Sequence, residues 1–279
     1  MINFHIPGLY QHFNLNIKLI KLIKSNPEYF YDNIKISGVY GSFFCPWTGG
    51  RTNDVFLDRQ EKESVIKAFN DLKVSILFTY TNTVLEQRDL YDMYGNEDLE
   101  LIASNPLNKV IIVSDLLKEY IHGKYPDIKF ISSIADNRDN QNNDYEINVV
   151  NASKNNTDEL FVMKNKESIE LLLNSNCIRN CPYEKEHYDY ISKLNVSKPV
   201  EHFECPFEGD TKNSLEEMKE SEIFISVEDL YNKYIPAGFN IFKLNGRHTD
   251  DKNTLDYYLY YMVKPEYQDV VKKILEEAI

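Results

Sequence analysis

The sequence predicts an α/β protein of the TIM-like (β/α)8 barrel class, with residues 1–279 forming a single domain. Short runs of β-branched and aromatic residues alternate with segments of helical periodicity, which is the pattern of repeated βα units. The strand-like runs number eight, and a length of 279 residues is ordinary for such a barrel. Neither GxGxxG nor GxxxxGK[ST] follows any of these runs, so neither a dinucleotide-binding fold nor a P-loop is supported.

The predicted strands are short and largely apolar, as strands of a buried parallel sheet are. In chain order they cover residues 34–44, 74–81, 109–113, 129–134, 145–150, 168–173, 223–226 and 239–244. Residues 136–144 are rich in Asn and Asp, and we interpret them as a loop within one domain because the βα alternation resumes after them.

The predicted helices precede, separate and follow these strands. They cover residues 14–25, 58–72, 85–103, 114–121, a segment beginning at 157, 184–193, 227–234, 255–262 and 266–277. Asp58 and Ser114 are expected to be N-caps, because their side-chain oxygens accept hydrogen bonds from free N–H groups of the first turn. We expect a break near Gly95 and the end of a helix at Gly123.

Composition limits the classes of partner. The formal net charge of −13 argues against extended nucleic-acid binding, which needs a basic face, although it leaves room for a local basic pocket. The N-terminus lacks the basic and apolar regions of a signal peptide, and no run approaches 18 apolar residues. We therefore expect a cytoplasmic protein without membrane binding, whose cysteines are thiols or ligands in a reducing compartment.

The four cysteines are the main chemical signal. Cys177 and Cys181 follow the strand predicted at 168–173, Cys45 follows the strand predicted at 34–44, and Cys205 lies in a polar loop. The carboxyl ends of barrel strands meet on one face, so these thiols could form one metal site, either a [4Fe–4S] cluster or zinc. Ordinary buried cysteines remain an alternative.

Histidines offer a second ligand set. His187, His202 and His248 fall in loops or early helical turns, so a mixed Cys/His zinc site stays open. His187 lies in the helix that begins beside the cysteine pair, and it is the best candidate for a general acid or base.

Several polar residues near strand ends are candidates for substrate binding. Arg51 follows two glycines that would let the backbone approach a ligand, and Asn82 follows the second predicted strand. Asn82 could instead cap the next helix. Lys243 and Arg247 lie at the end of the last predicted strand, where they would attract a carboxylate or phosphate.

Two motifs resemble the proteins called peptidase family U32. The segment Asn174-Ser-Asn176-Cys177-Ile-Arg-Asn180-Cys181-Pro182, followed by His187-Tyr188, is similar to their cysteine segment. The segment Phe242-Lys243-Leu244-Asn245-Gly246-Arg247 is similar to their Lys-Ile-Glu-Gly-Arg signature, with Asn245 in place of the glutamate.

The resemblance implies a TIM-like barrel, a [4Fe–4S] cluster held by four cysteines, and oxygen-independent hydroxylation of RNA bases or quinone precursors. Carried onto this chain, it implies Cys45, Cys177, Cys181 and Cys205 as cluster ligands. The cysteine spacing departs from the family pattern, because Cys45 is early and Cys205 follows Cys181 by only 24 residues.

Three functional hypotheses follow. The first is a U32-like iron–sulfur oxidoreductase or hydroxylase, acting on a small-molecule or modified-base substrate with an electron donor or partner subunit. Arg51, Asn82, Asn176 and Lys243 would bind that substrate, and His187 and Arg247 would act in catalysis. The second is a peptidase-like hydrolase or lyase using His187, with zinc or no metal. The third is a non-catalytic binding or scaffold barrel.

Overall fold

A computed structural model describes residues 1–49, 56–136, 144–207, 212, 214–246 and 250–279. Eight strands occur in these residues: β1 Ile2–Pro7, β2 Ile34–Gly41, β3 Ser75–Tyr80, β4 Lys109–Ile112, β5 Lys129–Ser132, β6 Asn148–Val150, β7 Ile169–Leu172 and β8 Ile241–Lys243. The described α-helices are α1 Phe13–Ser25, α2 Arg59–Asp71, α3 Met93–Ala103, α4 Asp115–Lys124, α5 Asp158–Val162, α6 Glu184–Asn195, α7 Leu215–Lys219, α8 Val227–Asp229, α9 Asp251–Met262 and α10 Gln268–Glu276. A π-helical turn, Leu230–Tyr234, continues α8.

The strands form one sheet in the order β5-β4-β3-β2-β1-β8-β7-β6. β4 pairs in parallel with β3 and β5, and β8 pairs in parallel with β1 and β7. Ile131 of β5 forms a parallel bridge with Ile147, the residue that precedes β6. The two end strands of the sheet therefore meet, and the predicted TIM-like (β/α)8 barrel class is confirmed.

One predicted strand is wrong and one real strand was missed. The first strand is Ile2–Pro7, not the segment at 34–44, which forms β2. Residues 223–226 are not a strand, although Ile223, Phe224 and Ile225 are buried. Ile225 donates one backbone hydrogen bond to Leu173, just past β7, and Ser226 then caps α8, so the apolar run contributes core side chains without joining the ladder. The predicted number of strands, eight, was correct, although the predicted set included residues 223–226 and left out Ile2–Pro7.

The described chain divides into two compact units. The first unit comprises Met1–Val39, Val150–Asn180 and Asp210–Ile279, and the second comprises Tyr40–Val149 and Cys181–Gly209. The single-domain boundary at residues 1–279 stays a prediction.

Local capping follows the sequence closely. Asp58 and Glu61 form a reciprocal capping box at the start of α2, and the Ser114 hydroxyl accepts from the Leu117 N–H at the start of α4. Both predicted N-caps are confirmed. The predicted break at Gly95 is wrong, because Asp92 caps α3 and Gly95 lies in its first turn. Gly123 does not end its helix, since α4 continues to Lys124.

Within the described ranges, no helix has the length and apolar character needed to cross a membrane.

Candidate functional site

Three neighbouring strands of the first unit bring charged side chains together. His5 on β1 is in register with Lys243, the last residue of β8. Glu170 on β7 is in register with Ile241, two residues before Lys243. Because side chains two residues apart on a strand share a face, all three lie on one side of the sheet. His5 and Lys243 are near the carboxyl ends of their strands, and Glu170 lies one layer deeper.

Glu170 is the centre of this charged cluster. Its Oε2 forms a hydrogen bond with Nδ1 of His5. Its Oε1 lies 3.4 Å from Nζ of Lys243, an ion-pair distance. The Glu170 side chain is fully buried, His5 is 4% exposed, and the Lys243 side chain is 12% exposed. We call these three residues the β1–β7–β8 cluster.

The cluster keeps Glu170 ionised. Burial alone would raise the pKa of its carboxyl group, but the charges of Lys243 and His5 and their hydrogen bonds lower that pKa to about 2. A buried carboxylate is tolerated only when it is paired in this way. The arrangement can therefore hold a fixed negative charge beneath an imidazole and an ammonium group.

A pair of asparagines fixes the ends of β7 and β8. The Asn245 N–H donates to Oδ1 of Asn174 at 2.7 Å, and the Asn174 amide donates to the Asn245 carbonyl at 3.4 Å. The Leu173 N–H also donates to the Lys243 carbonyl. Both asparagines are buried. These contacts restrict the backbone on which Lys243 is carried.

Arg179 anchors the segment that carries the cysteine pair. Its guanidinium donates to the carbonyls of Ser153, Asn155 and Glu222. The Asn180 N–H donates to the Ser153 hydroxyl, and Asn180 itself adopts a left-handed conformation with φ of 50°. These hydrogen bonds hold the turn after β7 against the segment that follows β6.

The structure places the four cysteines in unlike environments. Cys45 is fully buried in the second unit, Cys177 is exposed in the first, and Cys181 and Cys205 are half-buried in the second. All four belong to the described chain, and none is in a disulfide. Across the described residues, no group of three or more His, Cys, Asp or Glu side chains is arranged to hold a metal ion.

Cys45 has the character of a core thiol. Burial and the nearby Asp98 carboxylate raise its pKa well above the usual value, so the neutral thiol is favoured. The Asn195 amide, at the end of α6, donates to the Cys45 carbonyl at 3.0 Å and to the Thr48 carbonyl at 3.0 Å. This side chain and its turn are built into the core of the second unit.

His187 and Asn82 also lie in the second unit. The His187 ring packs against Phe203, with ring centroids 5.5 Å apart. Asn82 is fully buried; its amide donates to the carbonyls of Pro46 and Ser192, and its Oδ1 accepts from the Val84 N–H. Asn82 therefore has a structural role in this geometry. Catalysis by His187 and substrate binding by Asn82 stay predictions.

The remaining predicted residues are only partly described. Asn176 is half-buried, and its carbonyl accepts from the Lys212 N–H at 3.1 Å. Its predicted contact with substrate stays a prediction. Arg51, Arg247 and His248 lie outside the described residues.

Sequence reasoning missed two of the three residues in the β1–β7–β8 cluster. His5 was missed with its strand. Glu170 carried a usable signal, because a carboxylate within the apolar run at 168–173 needs a buried cationic partner. Its partners could not be named, since they are 165 residues before it and 73 residues after it.

The fold and this cluster define a TIM-like barrel with a charged centre near the carboxyl ends of β1 and β8 and a buried carboxylate from β7 one layer deeper. No family model matches the chain, and no curated protein matches its sequence. The chain is similar to the solved structure of the U32 peptidase Mk0906, with a TM-score of 0.52 over 88% of this chain and 93% of that one. The two sequences are 14% identical. The predicted resemblance to U32 proteins is confirmed at the level of the fold.

Proposed function

We propose that the chain is a barrel enzyme of the U32 type that binds a small anionic substrate through Lys243. The observation that carries this proposal is the ion pair between Lys243 and buried Glu170. Lys243 is at the carboxyl end of β8, the strand that contains part of the segment similar to the U32 signature. Barrel enzymes bind substrate at that end of the strands. A partly exposed ammonium group there suits a carboxylate or phosphate.

The iron–sulfur hypothesis requires a test of fit. A four-thiolate cluster needs four deprotonated sulfurs at one site. Cys45 instead favours the neutral thiol in a closed core, and the described residues contain no group of three or more potential ligands suited to a metal. The described residues therefore give the cluster no support, and we derive no reaction step through it.

The finer assignment, an iron–sulfur oxidoreductase or hydroxylase acting on a nucleobase-like substrate, therefore stays a prediction from the resemblance. Iron and acid-labile sulfide in oxygen-free protein would decide it. About four of each per chain would support the cluster, and zinc in stoichiometric amount would favour the alternative metal. The hydrolase or lyase and the scaffold readings stay predictions as well.

Anion binding tests the proposed function without knowledge of the reaction. Thermal unfolding would be followed with inorganic phosphate, acetate, pyruvate and nucleoside monophosphates. We expect at least one to raise Tm by roughly 5–10 °C at a hundredfold excess over Kd. Lys243→Met should abolish that shift.

The matched control is Lys35→Met, which removes an exposed cation from β2 in the same unit. It should leave the shift unchanged. Equal stabilisation of Lys243→Met and the native chain, or stabilisation by none of these anions, would contradict the proposal.

A further inference from the structure

We infer that His5 is a catalytic general base. Glu170 holds the His5 proton on Nδ1, and Lys243 stabilises the negative charge that develops on the substrate. This rests on the proposed function, because it assigns a reaction to the centre at which the anionic substrate would bind.

The proton on His5 can be placed from its partner. An ionised carboxylate only accepts hydrogen bonds, so the bond between Nδ1 of His5 and Oε2 of Glu170 requires the proton on Nδ1. In a neutral imidazole, Nε2 then carries the lone pair. Glu170 thus prepares one defined atom, Nε2, as a proton acceptor.

The neighbouring lysine supplies the complementary charge. His5 and Lys243 face each other in register on adjacent strands, so a group contacting one is within reach of the other. Negative charge that appears on a substrate beside His5 would be offset by the Lys243 ammonium. With His5 neutral, the Glu170 carboxylate balances the Lys243 ammonium, so the three groups carry no net charge before substrate binds.

The resulting step is a proton transfer. A C–H bond next to the substrate's carbonyl group breaks, and its proton moves to Nε2. The electron pair stays on the substrate as an enolate beside Lys243. Glu170 stays ionised and stabilises the imidazolium, which returns the proton to another atom of the same enolate. Neither an oxidant nor a reductant is needed. The substrate class is a small carboxylate or phosphate ester with a carbonyl group near the anionic end.

The competing interpretation is an inert buried ion cluster. His5 is 4% exposed, so the two readings differ in whether a small molecule reaches Nε2. Diethyl pyrocarbonate tests this directly, because it acylates unprotonated imidazole nitrogen. Peptide mass spectrometry would resolve each of the six histidines, with exposed His202 as the internal reference.

We expect His5 to be modified in the folded protein, and inorganic phosphate to slow that modification without affecting His202. In Lys243→Met the protection by phosphate should disappear. In Glu170→Gln the rate at His5 should fall about tenfold, because an amide can donate as well as accept and no longer fixes the proton on Nδ1. Glu167→Gln removes an exposed carboxylate just before β7 and should change neither rate.

A native chain in which His202 reacts and His5 does not would overturn the inference. The nitrogen NMR spectrum of the native protein gives a second test that needs no variant to fold, with the His5 ring signals assigned through their bonds to its own backbone. A protonated Nδ1 and an unprotonated Nε2 are expected, and the reverse tautomer would overturn the inference. If an anion raises Tm through Lys243 while His5 stays unreactive, the proposed function stands and only this inference fails.

Discussion

Oε1 of Glu170 lies 3.4 Å from Nζ of Lys243, while Oε2 of the same carboxylate binds the imidazole of His5. One buried anion therefore supports two groups on two neighbouring strands. Removing it leaves the ammonium and the imidazole without their counter-charge. That cost is the basis of the first prediction.

Glu170→Gln should destabilise the protein by roughly 3 kcal/mol at pH 7, because breaking a buried ion pair leaves an uncompensated charge. The pKa of Glu170 is about 2 in the folded chain, against 4.5 for an ordinary glutamate. A lowered folded-state pKa adds stability that is present above the unfolded pKa and is lost as pH falls through the folded value. The difference between wild type and variant should therefore shrink from pH 5 to pH 2. Urea unfolding at several pH values measures it.

The control for this experiment is Glu167→Gln, whose carboxylate is exposed. It should change the free energy of unfolding by less than about 0.5 kcal/mol. A constant gap between Glu170→Gln and wild type across this pH range would show that the carboxylate is not held ionised.

A second buried pair joins α2 to α3 in the second unit. Nζ of Lys62 lies 2.7 Å from Oδ1 of Asp98, and both side chains are buried. Burial raises the pKa of Asp98 to about 6 despite the hydrogen bond and charge of Lys62. Because the folded-state pKa is raised, the folded chain binds this proton more tightly than the unfolded chain. Stability should therefore decline as pH rises from about 4 to 6 through this group.

Lys62→Met should extend that decline to higher pH. Without the ammonium the pKa of Asp98 rises further, so ionisation of a lone buried carboxylate costs about 3 kcal/mol at pH 8. At pH 5 the carboxyl group is mostly protonated, and the loss should be about 1 kcal/mol. Lys67→Met, which removes an exposed cation from the same helix, should show no such dependence. Equal losses for Lys62→Met at pH 5 and pH 8 would contradict the assignment.

The turn that contains Cys45 should open when the hydrogen bonds from the Asn195 side chain are removed. Asn195 donates to the carbonyls of Cys45, Pro46 and Thr48 from the end of α6. Asn195→Ala leaves these acceptors without that donor, at a cost of about 1–3 kcal/mol. Labelling of the Cys45 thiol, followed by mass spectrometry, should become about tenfold faster or more relative to Cys205.

Leu194→Ala is the matched control, since it trims an exposed side chain from the same turn of α6. It should leave Cys45 labelling unchanged. Labelling of Cys45 as fast as that of Cys205 in the native protein would mean that the 45–48 turn is not closed.

The barrel class was predictable because periodicity and turn chemistry are local. The caps Asp58 and Ser114 followed from a single side chain beside free N–H groups. Local patterns could not show that Ile2–Pro7 is a strand and that residues 223–226 are not. Both runs are buried, and only the hydrogen bonds between strands distinguish them. The β1–β7–β8 cluster depends on strand order, which joins residues from both ends of the chain. A metal site was predicted at the cysteines because thiols are common metal ligands. The sequence did not show that Cys45 is packed in a core.

Gly95 in α3 is held against the indole ring of Trp47. A Cβ added at Gly95 would stand 2.6 Å from a ring atom, closer than packed atoms approach. Trp47 is fully buried, and its Nε1 donates to the Asp89 carbonyl at 2.7 Å, so the ring has little room to move. Gly95→Ala should therefore destabilise the protein by about 1–3 kcal/mol, although alanine is the better helix former.

Trp47 is the single tryptophan, so its emission reports this contact directly. Gly95→Ala should shift the emission to the red, because a displaced ring gains solvent or loses its hydrogen bond. Gly123→Ala is the matched control: apart from its chain neighbours and the adjacent backbone of its own helix, nothing lies within 4 Å of a Cβ built at this position in α4. It should leave the emission unchanged and stabilise the protein by about 0.5–1 kcal/mol through helix propensity alone. Since both changes add one methyl group to a helical glycine, opposite signs of their effects on stability isolate the contact with Trp47. Equal changes in the free energy of unfolding for the two variants would show that the indole ring moves aside without destabilising the protein.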